Sequence, residues 1–509
     1  MKISTKFLGG AVSDNFTGSA TLIRIELGKK ILRILIDAGL IQSSFGEMQE
    51  KNLNLAEKIE AEKLDYIIIT HSHIDHIGLL PLLLKKQFKG RIICTEAAAL
   101  LMEPMLKDSA KIQSLEAAYS QHKEEKMEKK RQSYFSKDRL LLGKYDKRRN
   151  KNKNGKKNNS HNQAVYTMED IPAVLEAIKN SGMPYQNWLK LSHEVHCKFY
   201  PSGHVIGGGI VVIRIKNRKE EKYLAFSGDL GREDGLILPP PEIVEEKLER
   251  FIIESTYGGR FHPSRKQELK HLADIIKATQ KTKGKIIIPS FALERTQEMI
   301  YLLSMMMEKK EIPETTIFLD SPLAAEITAK FSSFWEEGMF SDQNNCPFNP
   351  FNPNSNRFLK IINSQEESDR MIASPDRFLI IAGSGMANAG RVRGWLRKLL
   401  PKSNTQVCLI GFMAENTLGQ KLSEKPLFVM MNDQKITVKA KINSFESFSA
   451  HADKGHLVSY IRKLAEKNEK IKIFINHGNQ ENAKSLSESL KNFLSDKQII
   501  ITENNKDYL

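Results

Sequence analysis

The sequence predicts an α/β protein built from more than one domain, and three observations lead there. At 509 residues the chain exceeds what one hydrophobic core usually organises. Its apolar pattern changes part-way: short β-branched runs separated by turns fill the first half, and near-continuous apolar strands alternating with helical patterns fill much of the second. Residues able to hold a metal also recur where predicted strands end.

Taken in order, Thr21–Leu27, Ile31–Asp37, Tyr66–Thr70 and Arg91–Thr95 read as strands. Ile31–Asp37 closes on a carboxylate, followed by Ala38-Gly39. Thr70–Leu79 reads T-H-S-H-I-D-H-I-G-L and places His71, His73, Asp75 and His76 within six positions. Such a cluster suits a loop at a strand end, because on a helix His71 and His73 would point to different sides. Leu79–Lys86 and Ala97–Gln113 predict helices. From Tyr119 to His161 the composition turns basic, with 15 Lys/Arg against 5 Asp/Glu in Gln121–Ser160. That stretch predicts a flexible insertion over about 120–162, since it has little apolar surface to bury.

Val165–Ser181 predicts a turn into an amphipathic helix, with Thr167 at the N-cap and Asp170 in the capping-box position. Val195–Ser202, Gly209–Lys216 and Tyr223–Ser227 follow as strands; His204 lies between the first two, and S-G-D with Asp229 ends the third. Arg250–Thr256 carries Glu254. Gly284–Ser290, Thr316–Asp320, Arg377–Ala382 and Val407–Phe412 then alternate with helical patterns around Arg295–Lys309, Pro322–Glu336 and Val392–Leu400. This alternation predicts a parallel sheet covered on both faces. Asn344–Asn356 reads as a loop, Lys435–Phe445 as a strand, Phe448–Asp453 as the loop F-S-A-H-A-D, and His456–Glu466 as a helix. Ile471–Asn476 leads to His477-Gly478.

A net charge of +16 favours a polyanionic partner, nucleic acid before an anionic membrane surface, although one basic loop could hold most of it. Cys94, Cys197, Cys346 and Cys408 lie far apart, which argues against a disulfide framework or a thiolate zinc site and for a reducing compartment. The start, M-K-I-S-T-K-F-L-G-G, has no apolar stretch of signal-peptide length, and no run approaches a membrane span. The expectation is a cytoplasmic protein with no membrane partner.

Histidines 71, 73, 76, 204, 451 and 477 and carboxylates Asp37, Asp75, Asp229 and Glu254 all fall at strand ends. Any one of them alone is more often a turn residue; together they describe an active site at one rim of a sheet sandwich. Imidazole and carboxylate suit Zn²⁺ in sites that keep a position open for water. Two such ions about 3.5–4 Å apart can activate one water and hold phosphoryl oxygens through an in-line displacement. Asp229 is the candidate bridging carboxylate, and a His oriented by a carboxylate would protonate the leaving oxygen.

These residues resemble the metallo-β-lactamase fold, through HxHxDH at His71–His76, Asp37 after an early strand, G-H at His204 and G-D at Asp229. They also resemble its β-CASP branch, through E-S-T-Y-G at Glu254–Gly258, S-A-H-A-D at Ser449–Asp453 and H-G at His477. P-S-F-A-L-E-R-T-Q-E (Pro289–Glu298), D-S-P-L-A (Asp320–Ala324) and G-S-G-M (Gly383–Met386) are similar to the inserted domain of that branch. The resemblance implies an αββα sandwich of residues 1–256 and 447–509, interrupted by a β-CASP parallel-sheet domain over 257–446.

The same resemblance implies a ribonuclease with two Zn²⁺ ions per chain. His71, His73 and His204 would hold one, Asp75, His76 and His477 the other, with Asp229 between them. Asp37 would orient a ligand imidazole, and Glu254 would orient His451 as general acid. A His at position 477 goes with RNA-processing rather than DNA-processing members of the branch. The implied reaction gives 5′-phosphate and 3′-OH ends, endonucleolytically on single-stranded RNA, with a homodimer left open. Arg295, Ser384 and Gly385 are candidate phosphate contacts, against a helix-face salt bridge for Arg295 and a tight strand–helix turn for the other two. The chain departs from many relatives in carrying Asn479 rather than Glu after the final H-G. The alternatives are a 5′→3′ exoribonuclease, a small-molecule hydrolase and a non-catalytic RNA-binding subunit.

Overall fold

A computed structural model describes residues 1–43, 45–141, 163–341, 343–411, 413–414 and 416–509. Two seven-stranded sheets face each other. In the first, Lys2–Gly9, Ala20–Leu27 and Lys30–Ile36 form an antiparallel meander, and Lys30–Ile36 then pairs in parallel with Tyr66–Ile68, which pairs with Arg91–Thr95. In the second, Val195–Pro201, Gly209–Lys216 and Glu221–Phe226 are antiparallel, and Arg250–Glu254 joins the last of them in parallel.

The C-terminal stretch completes both sheets. Lys472–Asn476 pairs in parallel with Arg250–Glu254, and Asp507–Tyr508 pairs with the first strand of the chain. Inward side chains such as Phe7, Ile23, Ile34, Phe199, Val211 and Phe226 make one dry core between the sheets. Each outer face is covered by helices: Phe45–Ile59, Leu80–Lys85, Glu96–Leu141 and Ile171–Ile178 on the first, Lys454–Lys467 and Gln480–Leu490 on the second. That layering is the αββα sandwich.

A third, six-stranded sheet is parallel throughout. Its strands Ile286–Pro289, Ile317–Asp320, Leu379–Ala382 and Gln406–Ile410 are buried almost end to end, as expected where helices cover both faces. Helix Arg295–Glu308 is buried nearly all round, packed against Pro322–Glu336 and the sheet. No helix among the described residues is long and apolar enough to cross a membrane.

Four expectations are corrected. Helix Glu96–Leu141 runs far past Gln113, so the first part of the segment expected to be flexible is helical, and 142–162 lies outside the described residues. The apolar periodicity ends near Gln113, but a helix already nucleated by packing can continue through charged residues. Lys435–Phe445 is two strands in different sheets, Gln434–Thr437 and Lys441–Phe445. The metal-capable run is only partly loop: His71 and His73 precede a four-residue helix, Ile74–Ile77, that carries Asp75 and His76. The capping box at Thr167 and Asp170 is present, but it opens a short 3₁₀ turn before the helix itself.

Candidate metal centre

Every candidate ligand leaves the end of a strand at the same rim of the sandwich. Strand Tyr66–Ile68 delivers Thr70 and the turn after it. That turn docks on the chain after Lys30–Ile36: Ala38 N donates to His76 O and Leu40 N to Ile74 O, at 2.8 and 3.0 Å. Gly39 makes the approach possible, since a Cβ there would sit 1.7 Å from the Asp75 carbonyl oxygen. Asp229 follows Gly228, whose φ of +55° turns the chain over Thr70. His477 itself adopts φ 46°, and its amide is held by Gly10 O at 3.0 Å.

The side chains meet around Asp229. Its Oδ2 lies 3.4 Å from His71 Nε2 and 3.5 Å from His204 Nε2. Its Oδ1 lies 3.5 Å from both His76 Nε2 and His477 Nε2. His73 Nδ1 completes the first set, 3.1 Å from His71 Nε2 and 3.4 Å from His204 Nε2. Asp75 Oδ2 completes the second, 3.9 Å from His477 Nε2. One carboxylate thus faces two sets of three donors, one through each oxygen.

Asp37 orients the rings from behind. His76 Nδ1 donates to Asp37 Oδ2 at 2.7 Å, so Nε2 is the nitrogen facing Asp229. The Thr70 hydroxyl lies 3.0 Å from Asp37 and 3.1 Å from His71 Nδ1, which points His71 Nε2 the same way. Ser19 Oγ and Thr70 N also donate to Asp37.

The electrostatics match. Burial, reinforced by His71, pushes the His73 ring down to about 3, and burial together with His451 holds His204 well below its ordinary range. His76 goes the other way: burial opposes its charge, but Asp229 and Asp37 outweigh burial and hold its pKa well above the usual value. Burial would likewise raise Asp229, yet His76, His477 and His71 keep its carboxyl well below the carboxylate range. The residues fit a divalent cation. His76 Nε2 and Asp229 Oδ1 are buried, face each other, and have no hydrogen-bond partner among the described residues. Buried polar atoms are otherwise almost always paired.

Beside this cluster, His451 Nδ1 lies 3.1 Å from Glu254 Oε1, and its ring sits 4.3 Å from that of His204, centre to centre. Leu230 N and Thr256 N donate to the two Glu254 oxygens at 3.0 and 2.9 Å and fix the carboxylate. Burial disfavours a charged His451, but Glu254 outweighs it and raises the pKa.

Residues 14–155 match the model of the metallo-beta-lactamase superfamily, 296–422 that of the Beta-Casp domain, and 435–501 that of the Zn-dependent metallo-hydrolase RNA specificity domain. Ribonuclease TTHA0252 of Thermus thermophilus is 25% identical, over 93% of each chain. The RNase J-like protein of Methanocaldococcus jannaschii is 26% identical, over 91% of this chain and 90% of that one. The transcription termination factor FttA of Methanosarcina mazei is 24% identical over 90% of this chain, which spans 65% of that relative. The chain has the metallo-β-lactamase fold and carries a Beta-Casp domain.

Of the three candidate phosphate contacts, Arg295 and Gly385 are buried and Ser384 is half-buried. Arg295 is buried and ion-paired with Glu298 one turn along its helix. The pair faces inward because that helix is buried on nearly every side. Ser384 bonds with both the amide and the carbonyl of Ala389. Gly385 lies under the Phe291 ring, where a Cβ would come within 2.6 Å. The two residues form the tight turn between Leu379–Ala382 and Val392–Leu399. Asn479, in place of the Glu expected there, caps helix Gln480–Leu490 by accepting from Asn482 N, and His477 Nδ1 is left without a partner among the described residues. Thr70, Ser19 and His262 were not legible as site residues. His262 Nε2 bonds the His451 carbonyl at 3.0 Å, and its amide donates to Asp453.

Proposed function

We propose that the protein is a zinc-dependent ribonuclease that cuts single-stranded RNA internally and leaves 5′-phosphate and 3′-OH ends. Residues 1–256 and 447–509 would form the metal-bearing sandwich and 257–446 the inserted domain. One observation carries this reading: Asp229 faces His71 and His204 through one oxygen and His76 and His477 through the other, at 3.4–3.5 Å. His71, His73 and His204 hold one ion, and Asp75, His76 and His477 the second. The relatives named as ribonucleases and the matched RNA specificity domain support RNA as the substrate.

Bound there, a pair of divalent cations supplies Lewis acidity to water and to the phosphoryl oxygens. The chain's own residues do the rest. Asp37 fixes the tautomer of His76 and Thr70 that of His71, so ring nitrogens rather than N–H groups face the ions. His451, charged through its pairing with Glu254, holds the proton that the departing 3′ oxygen takes. Glu254 cannot swing away, because two backbone amides hold it.

The first prediction tests this directly. His71→Ala, with folding verified by circular dichroism, should abolish cleavage of single-stranded RNA, and full activity would refute the metal assignment. End-group analysis should find 5′-phosphates; 2′,3′-cyclic phosphate would rule out in-line hydrolysis. A circular RNA should be opened, and if only linear RNA shortens from its 5′ end the enzyme is an exonuclease.

A further inference from the structure

Glu294 stands outside the metal centre and has no place in the mechanism above. It precedes helix Arg295–Glu308 with φ 67° and ψ −60°, a backbone that favours glycine. Its side chain is only 2% exposed. Its Oε2 accepts from Ile206 N at 3.0 Å, and Oε1 has no partner among the described residues. Ile206 is two residues from His204, in the turn between strands Val195–Pro201 and Gly209–Lys216.

That turn is clamped on its other side by the sandwich itself. Thr95 Oγ1 donates to Gly207 O at 2.6 Å, and a Cβ at Gly207 would lie 2.5 Å from Ala98 N. Ile206 also packs into the apolar cluster shared with Ile288 and Leu293 of the six-stranded unit. Burial, with Glu298 nearby, raises the Glu294 carboxyl well above its ordinary range, which favours its neutral form. A neutral acid can remain in this apolar junction, where an unpaired carboxylate would carry a large desolvation cost. Arg295, the adjacent cation, is committed to Glu298.

We infer that Glu294 is a positioning residue, reaching from the inserted domain to the Ile206 amide and holding the turn that presents His204 to the metal. The inference rests on the metal-site reading above. It links placement of the inserted domain to the geometry of the first ion's ligands, so a shift of one is felt at the other. A side chain in a backbone conformation suited to glycine is explained by the bond it makes.

Glu294→Gly and Glu294→Gln in the full chain separate backbone from side chain. Glycine suits the backbone conformation and removes the acceptor; glutamine keeps an acceptor oxygen without charge. After thermal melting verifies folding, Zn²⁺ affinity is measured by chelator competition, and the Co²⁺-substituted protein by its visible absorption. The expected result is wild-type behaviour for Glu294→Gln. For Glu294→Gly, affinity should be weaker by about 10-fold, with an altered Co²⁺ spectrum. A Glu294→Gly protein matching wild type in both readouts overturns the inference, as does a Glu294→Gln protein as weak as Glu294→Gly. Neither readout needs RNA, so a failure of the ribonuclease reading remains distinct; a wild-type chain that binds no metal overturns both.

Discussion

A left-handed backbone at Asp37, φ 61°, turns its carboxylate inward to accept from Thr70 N at 2.8 Å through Oδ1 and from His76 Nδ1 at 2.7 Å through Oδ2. Asp37→Asn preserves the shape but sets an amide N–H₂ against one of those donors. His76 would then move its proton to Nε2, the atom facing Asp229. Metal affinity should fall about 10- to 100-fold with the fold intact, as read by chelator competition. His262 gives a pH effect with a definite sign. Burial holds its ring at about 4, against an ordinary 6.5. Between those values the unfolded chain binds more protons, so the His262 contribution is full above about 6.5 and lost as pH falls towards 4. His262→Gln should flatten the stability curve in that window, and an unchanged curve would show the ring does not titrate so. His71, His73 and Asp75 were legible because local spacing announces them. Thr70, Ser19, His262 and Glu294 act through partners far off in sequence, which no local pattern encodes.

At the scale of elements, D-S-P-L-A shows what a sequence run hides and what it tells. Ser321 caps helix Pro322–Glu336 by accepting from Ala324 N, with Pro322 in the first turn, a start signal readable from sequence. Asp320 is the hidden part. It is fully buried and accepts from Arg391 Nη1 and Trp395 Nε1, both at 2.7 Å, and from Ser368 Oγ. It ties two helices to the end of strand Ile317–Asp320. Asp320→Ala leaves a largely buried guanidinium unpaired and should cost about 3–5 kcal/mol of stability, read as a lower urea midpoint; a loss under about 1 kcal/mol would place the pair among weak surface bridges. Strands of the parallel sheet were legible because both faces are dry. Lys2–Gly9 was missed although Lys2, Ser4 and Lys6 alternate with buried Ile3, Thr5 and Phe7, the pattern of a half-buried strand. Helices Arg265–Lys281 and Gln365–Ala373 were missed because only a narrow face of each is apolar.

For the whole molecule, the seven proposed donors come from four strand ends spread between His71 and His477. Such donors are together only in the folded chain, so a bound ion stabilises the native state and not the unfolded one. Without the ions, one rim gathers Asp37, Asp75 and Asp229 with only protonated imidazole to offset them, as the raised pKa of His76 records. Chelator treatment should therefore lower the melting temperature, and returning Zn²⁺ should restore it, by about 2.7 kcal/mol at a hundredfold excess over Kd. In His76→Ala that response should shrink. Ala97, Leu101, Ile206, Ile237 and Leu238 of the sandwich share one apolar cluster with the helices and strands of the six-stranded sheet. A shared core makes the two units melt together, so the shift should move a single calorimetric transition. Two transitions, with only one responding to metal, would mean the junction does not couple them, and Glu294 would then have nothing to transmit.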